Sequence, residues 1–166
     1  RVLQIPLFTA LSSSMRAKLR PATSADAEDV AAVYLSSRKE FLPFAPLIHS
    51  DNEVESWIRH RLIPSGLVTV AEVDSCIIAM MATSITEGVP WIDQLYLRPG
   101  FLGRGIGTRL VETAKERLGR PIRLYTFQQN MGARRFYERN GFRPLLWSDG
   151  RTNEEQCPDI LYEFSG

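Results

Sequence analysis

The chain is poor in the residues that build disulfide and metal chemistry. It has two cysteines, Cys76 and Cys157, and two histidines, His49 and His60, in 166 residues. That excludes a disulfide framework, and no Cys/His spacing suits a zinc site. The cysteines are expected as two buried or half-buried thiols in a reducing cytosol. Charge excess is also lacking: 20 Lys and Arg against 19 Asp and Glu leave +1. No strong basic field points to nucleic acid or to an anionic membrane. No apolar run is long enough to span a bilayer. Internal repeats and low-complexity tracts are absent.

What is present is an ordinary globular composition, 44% hydrophobic and 23% charged. The length suits one domain with a sizeable core. The segment Arg1–Ser14 has no clear period, one leading positive charge and no small-x-small cleavage site, so it does not read as a secretory signal. Met15-Arg16-Ala17-Lys18-Leu19-Arg20 reads as a start that opens directly into a strand. Residues 1–14 are therefore expected to be an expression-derived or upstream extension, and 15–166 a single domain.

Hydrophobic periodicity gives the element order β-α-α-β-β-β-α-β-α-β-β. A first strand at Ala17–Arg20 is followed by a helix capped by Thr23 or Ser24, with Ala27, Val30, Ala31 and Tyr34 as its apolar face. A second helix is capped by Asp51 or Asn52 and ends at Pro64-Ser65-Gly66. Leu67–Val73 and Cys76–Thr83 form a hairpin around Asp74-Ser75. Trp91–Leu97 alternates, which puts Trp91, Asp93, Leu95 and Leu97 on one face and Ile92, Gln94 and Tyr96 on the other. Ile106, Leu110, Ala114 and Leu118 recur at helical spacing. A strand at Ile122–Phe127 and a short helix capped by Asn130 follow. Phe142–Trp147 and Gln156–Phe164 are the last strands. This order gives a mixed sheet with helices on both faces, not the regular alternation of a doubly wound parallel sheet.

The most informative stretch is Leu95-Tyr96-Leu97-Arg98-Pro99-Gly100-Phe101-Leu102-Gly103-Arg104-Gly105-Ile106-Gly107-Thr108. A strand ends at a proline turn, glycines alternate, and an amphipathic helix begins. The first turn of a helix has unpaired N–H groups and a partial positive charge. Glycines there remove the side chains that block a phosphate. Two common phosphate loops fail by spacing. The dinucleotide fingerprint G-x-G-x-x-G lacks its third glycine, since Leu110 or Thr108 stands in its place. The nucleotide loop G-x-x-x-x-G-K-[ST] has Ile106 where its lysine belongs.

About twenty-five residues further on stands Asn130-Met131-Gly132-Ala133-Arg134-Arg135-Phe136-Tyr137-Glu138-Arg139-Asn140-Gly141-Phe142. The two stretches together resemble the GCN5-related N-acetyltransferase (GNAT) superfamily: its pyrophosphate loop and its N-x-x-A-x-x-x-Y-x-x-x-G-F helix. The resemblance covers about Leu19 to Phe164. It implies an α/β (α+β) fold with a mixed, mostly antiparallel central sheet flanked by helices on both faces. It implies a cytoplasmic N-acetyltransferase that passes an acetyl group from acetyl-CoA to a primary amine of a small molecule or peptide by direct attack. A non-catalytic CoA-binding regulatory module on the same fold is the alternative. One departure is Leu102, where the family usually has Gln or Arg before the first glycine; Arg104 is a substitute charge.

The resemblance also implies the site. The backbone of Leu95, Tyr96 and Leu97 pairs with the pantetheine arm as an added strand. Leu102, Gly103, Arg104, Gly105, Ile106, Gly107 and Thr108 hold the pyrophosphate. Asn130, Ala133, Arg134 and Tyr137 share one helix face toward the cofactor. Phe136 packs in the core beside it. Arg134 is either a phosphate contact or a solvated charge. Tyr137 is the candidate general acid, against an ordinary core aromatic, because a phenol stays protonated beside a leaving thiolate. Asp93 is the candidate base, against a carboxylate paired with an arginine; Glu87 is a weaker candidate. His49 and His60 are surface or substrate-lid residues. The apolar loop with Phe41, Phe44, Leu47 and Ile48, together with Trp57 and Trp91, suggests a vestibule or core packing. No acidic cluster stands out for polyamines. The strands Phe142–Trp147 and Gln156–Phe164 are the expected surfaces for a homodimer.

Overall fold

The computed structural model of the chain describes residues 16–166, so the expected break before Met15 lies outside the described residues. The elements are β1 (Lys18–Pro21), α1 (Ala27–Phe41), α2 (Asp51–Trp57), β2 (Val68–Val73), β3 (Cys76–Thr86), β4 (Val89–Leu97), α3 (Ile106–Arg117), β5 (Ile122–Phe127), α4 (Met131–Arg139), β6 (Arg143–Ser148) and β7 (Asp159–Phe164). The strands form one sheet in the order β1-β2-β3-β4-β5-β7-β6. Every neighbouring pair is antiparallel except β4 and β5.

Helices cover both faces of the sheet. Val30 and Val33 of α1, Val54 of α2 and Ile58 pack with Val68, Val70 and Met80 on one face. Leu110 and Val111 of α3 and Tyr137 of α4 pack with Ile78, Met81, Leu124 and Ile160 on the other. Burying these stripes against the sheet is the dominant source of stability.

Local chemistry explains the element ends. Asp26 accepts a hydrogen bond from the Thr23 N–H at 2.7 Å and closes the turn that leads into α1. The same carboxylate takes the Arg20 guanidinium at 2.8 and 2.9 Å, while Arg20 Nε reaches Glu72 at 3.0 Å. This triad ties the start of α1 to β1 and β2.

The cap of α2 differs from expectation. Ser50, not Asp51 or Asn52, is the cap: its hydroxyl accepts from the Glu53 N–H at 3.2 Å and Glu53 accepts from the Ser50 N–H at 2.7 Å. The reciprocal Ser-x-x-Glu pair satisfies two N–H groups at once, which neither Asp51 nor Asn52 achieves here. The helical path then widens over Ile58–Leu62, tightens over Ile63–Ser65 and stops at Gly66 with φ 75°. Asp74 and Ser75 both have positive φ, 47° and 64°. That turn matches the twist of the β2–β3 hairpin, though neither residue is glycine.

Other expectations shift. β4 starts at Val89, because the reversal is completed within Glu87-Gly88, both at positive φ. β6 starts at Arg143 and β7 at Asp159, since Gln156 still belongs to the loop at φ 52°. β7 lies between β5 and β6, so its backbone is already paired on both sides; β6 is the free edge there. Cys76 is exposed rather than buried, because it opens β3 at the hairpin turn; Cys157 is half-buried, and both are free thiols. Among the described residues no helix is long and apolar enough to cross a membrane.

Candidate active site

The site starts from a fault in the sheet. β4 and β5 share a single parallel partnering, Trp91 with Arg123. Beyond it the two strands part, and the backbone of β4 from Ile92 to Leu97 has partners only on its β3 side. A wedge-shaped gap opens between them. Two cavities occupy it, and both are lined by Leu95, Tyr96, Asn130, Ala133 and Tyr137.

The smaller cavity, about 770 Å³, is walled by Leu95, Tyr96 and Leu97, by Leu102, Gly103, Gly105, Ile106, Gly107 and Thr108, and by the start of α4. Gly105 caps α3 in the left-handed region at φ 79°, and Gly103 stands at φ 73°. A side chain strains such backbone, so these two positions of the loop need glycine. Gly107 has a different reason: a Cβ there would lie 3.1 Å from the Phe136 ring. Phe136 thus packs against the helix start and lines the cavity. Leu102 is 54% exposed and also lines this cavity.

Two expected cofactor residues point elsewhere. The Arg104 guanidinium lies 5.1 Å from the Phe101 ring centroid. The Arg134 guanidinium lies 5.0 Å from the Trp147 ring centroid and donates to the Gln128 carbonyl at 3.1 Å. Arg134 is neither at the cradle nor a free solvated charge; it clamps α4 to β6. Asn130 is at the gap, but its side-chain oxygen already accepts from the Ala133 N–H at 3.2 Å, capping α4.

Tyr137 sits at the junction of the two cavities, with its ring edge-on to Phe136 and Phe142. Burial pushes its phenol well above the usual value, and the neighbouring Tyr96 adds to that. It therefore stays protonated at every physiological pH.

The larger cavity, about 840 Å³, is lined by Asp93 on the β4 side, Tyr125–Phe127 of β5, Tyr34 and Arg38 of α1, Trp57 of α2, and the loop between β6 and β7. The strict alternation expected for β4 fails at Asp93. Ala82 pairs with Gln94 and Thr83 with Ile92, so Asp93 is an extra residue, a bulge. The bulge puts Ile92 with Leu95 and Leu97 toward α3 and α4. Asp93 is not on the Leu95 face; it is re-aimed into the cavity wall. The residue is exposed, yet desolvation by the surrounding wall raises its carboxyl above the ordinary value, with the Ser84 hydroxyl pulling it back. No arginine pairs with Asp93 among the described salt bridges.

Sequence reasoning missed much of this wall. Tyr34 packs edge-on to Tyr96 at 4.9 Å. Burial moves the Tyr96 phenol up to about 12, with the Arg38 guanidinium drawing it back down. Glu53, Asp93, Glu154, Glu155 and Asp159 all line the cavity. These carboxylates come from segments up to about a hundred residues apart and line one wall, with Glu155 facing Arg38 and Glu154 facing His49. His49 joins them, 2.6 Å from Glu154; among the described residues, Glu87 and His60 are not in either wall. Of the expected vestibule residues, Trp57 lines the larger cavity and Phe41 the smaller; Phe44 packs edge-on to Phe127 at 5.9 Å, Trp91 stacks on Tyr125 at 5.5 Å, and neither they nor Leu47 and Ile48 line a wall. Only the i, i+4 pair Tyr34 and Arg38 carried a local signal, an arginine sharing the inner face of an otherwise apolar helix.

Residues 31–142 match the model of the acetyltransferase (GNAT) family. The chain belongs to that family. A PaiA N-acetyltransferase from Thermoplasma acidophilum, solved in complex with coenzyme A, superposes with a TM-score of 0.71 at 25% identity, over 92% of this chain and 100% of that one. The apo form of YjaB from Escherichia coli gives 0.73 at 22% identity, over 92% and 99%. An uncharacterized N-acetyltransferase of Methanocaldococcus jannaschii is 44% identical over 55 residues, which are 31% of this chain and 24% of that relative.

Proposed function

We propose that the protein transfers an acetyl group from acetyl-CoA to a primary amine of a small molecule or peptide, by direct attack in a ternary complex. The observation that carries this is the meeting of two cavities at Tyr137, one walled by a glycine-rich helix start and the other by carboxylates and aromatic rings. The smaller cavity fits coenzyme A: the backbone at Gly103–Gly107 suits a pyrophosphate, and the unpaired edge of Leu95–Leu97 suits the amides of a pantetheine arm. Bound acetyl-CoA supplies the acyl group as a thioester.

The chain's own residues do the rest. The β4 backbone orients the thioester carbonyl and offers N–H groups toward its oxygen. Asp93 takes the proton of the incoming ammonium, directly or through one water, so that the neutral nitrogen forms the new C–N bond. A raised carboxyl is a stronger base than an ordinary aspartate. As the C–S bond breaks, the Tyr137 hydroxyl donates to the departing sulfur. Its acidity is weak, so it stabilises the developing thiolate by a hydrogen bond and ends the step protonated, while the second proton, shed by the nitrogen as it becomes an amide, goes to the sulfur and gives the free thiol. The carboxylate-lined wall favours an acceptor that arrives as a cation.

Calorimetric titration with CoA, acetyl-CoA and ATP tests the cofactor, and an amine panel with thiol detection tests the reaction. Micromolar binding of both CoA forms without ATP binding, followed by thiol release with at least one amine, is the expected result. Tight CoA binding with no turnover on any amine would establish the non-catalytic module instead.

A further inference from the structure

The wall of the larger cavity is closed by a seam between two parts of the chain that sequence separates widely. On one side stand α1 and the segment from Leu42 to Ser50; on the other stands the loop 149–158. Two charged pairs cross the seam, beside a weak hydrogen bond from the Cys157 thiol to the Phe44 carbonyl at 3.8 Å. The inner one is Arg38 Nη1 with Glu155 at 3.3 Å, where Arg38 is only 5% exposed. The outer one is His49 with Glu154, both largely exposed. Arg38 Nη2 also donates to the Pro46 carbonyl at 3.4 Å. One guanidinium thus touches α1, the segment after it and the far loop.

The far loop is internally braced before it reaches Arg38. The Asn153 amide donates to the Cys157 carbonyl at 2.7 Å and to Asp159 at 3.0 Å, and accepts from the Cys157 N–H at 3.1 Å. Ser148 bonds Asp159, and Gln128 Nε2 donates to the carbonyls of Ser148 and Asp159 at 2.9 and 3.1 Å. The backbone folds back so tightly that a Cβ on Gly150 would clash with the Cys157 carbonyl group. A unit braced this way moves as one body. What sets its distance from α1 is the seam, and the inner pair is the part shielded from water, where screening is weakest.

We propose that Arg38 is a positioning residue of the larger cavity: by holding Glu155 it docks the 149–158 loop against α1 and sets the width available to the acceptor. Reading that width as an acceptor effect rests on the acyltransferase function above; the docking itself does not. Arg38 lies outside the wall of the smaller cavity but faces Tyr96, which both cavities share, so Glu155→Gln is the variant whose effect is confined to the larger one.

The test uses the full chain carrying Glu155→Gln, Arg38→Lys or Arg38→Met, with Glu155→Gln as the variant least disturbing to the core. Amide hydrogen exchange over 150–157 is expected to speed by about tenfold in Glu155→Gln and Arg38→Met, with Arg38→Lys partly restored and the β2–β3 hairpin unchanged. CoA affinity stays within about twofold, while the KM of an accepted amine rises about tenfold with a smaller change in kcat. Unchanged exchange over 150–157 overturns the proposal. So does a rise in amine KM in Arg38→Met that Glu155→Gln does not share, since Arg38 would then touch the acceptor itself. Faster exchange without any amine turnover upholds the docking and removes the acyltransferase reading; turnover with unchanged exchange does the reverse.

Discussion

The smaller cavity takes most of its wall from one contiguous stretch, Leu95 to Thr108, and closes it with the start of α4. The larger cavity takes its wall from α1, α2, the bulge in β4, the end of β5 and the loop after β6. The first is built mainly from backbone: unpaired N–H groups, left-handed glycines and a free strand edge. The second is built from side chains held by ion pairs and ring contacts. Backbone recognition tolerates changes of side chain, Leu102 in the cavity wall among them. Side-chain recognition does not, so the second region is where chains of the same fold are free to differ.

The largest effect is expected at the junction. Tyr137→Phe should lower kcat by about 100-fold or more while leaving the acetyl-CoA KM within about twofold, because it removes a donor used only as the C–S bond breaks. Steady-state kinetics with the best amine of the panel checks this. An unchanged kcat would make Tyr137 a packing aromatic shared by both cavities.

Asp93→Asn should act on the larger cavity alone, lowering kcat/KM for the amine by about 10- to 100-fold. The wild-type profile of kcat/KM should rise with pH as the Asp93 carboxyl loses its proton. Desolvation raises that carboxyl above its ordinary value of 3.8, so the limb lies at higher pH than for a fully solvated aspartate. In Asp93→Asn the limb should vanish. A limb that persists would assign the base elsewhere.

The contrast also explains what was legible in the sequence. The fold was, because the buried stripes of α1, α3 and the strands follow period 3.6 or 2 and the stops fall at Gly and Pro. The smaller cavity was, because glycine spacing and the Asn130–Phe142 helix are local patterns. The facing of β4 was not: one inserted residue at Asp93 reverses the alternation, and nothing in Trp91–Leu97 marks where a bulge falls. The acidic wall was not, because Glu53 and Glu154 are unremarkable surface-type carboxylates until β6–β7 brings its loop against α1. The places of Arg104 and Arg134 were not legible either, because spacing sets a helix face or a loop position, not whether an aromatic ring such as Phe101 or Trp147 captures the guanidinium.

Gly105→Ala sharpens the backbone side. No atom stands within 4 Å of a Cβ there, so the change adds strain rather than a clash, at φ 79°. Left-handed backbone costs a non-glycine residue about 1–2 kcal/mol. CoA affinity should fall by up to about tenfold as the loop relaxes away from that conformation. Hydrogen exchange over the 149–158 loop should not change. Calorimetry and exchange on one sample separate the two regions; a loop that opens in this variant would mean that the cavities are coupled through α4.

The smallest effect is expected at Asp26, remote from both cavities but fixed to the helix that carries Tyr34 and Arg38. Its carboxyl is held down from 3.8 to about 2, chiefly by the Arg20 hydrogen bonds. A depressed carboxyl stabilises the folded state above its unfolded value, and that contribution fades as pH falls from about 4 toward 2. The pair is partly open to water, so the contribution is about 1–2 kcal/mol rather than the full linkage value. Asp26→Asn should therefore lower stability by about 1–2 kcal/mol at pH 7 in urea unfolding, with the gap from wild type closing toward pH 2. If α1 is anchored to β1 and β2 mainly by this triad, the same variant should loosen the larger cavity before the smaller one. Amine KM would then rise while CoA affinity holds. Equal weakening of both would show that α1, which also lends Ser37 and Phe41 to the smaller cavity, moves the two regions together.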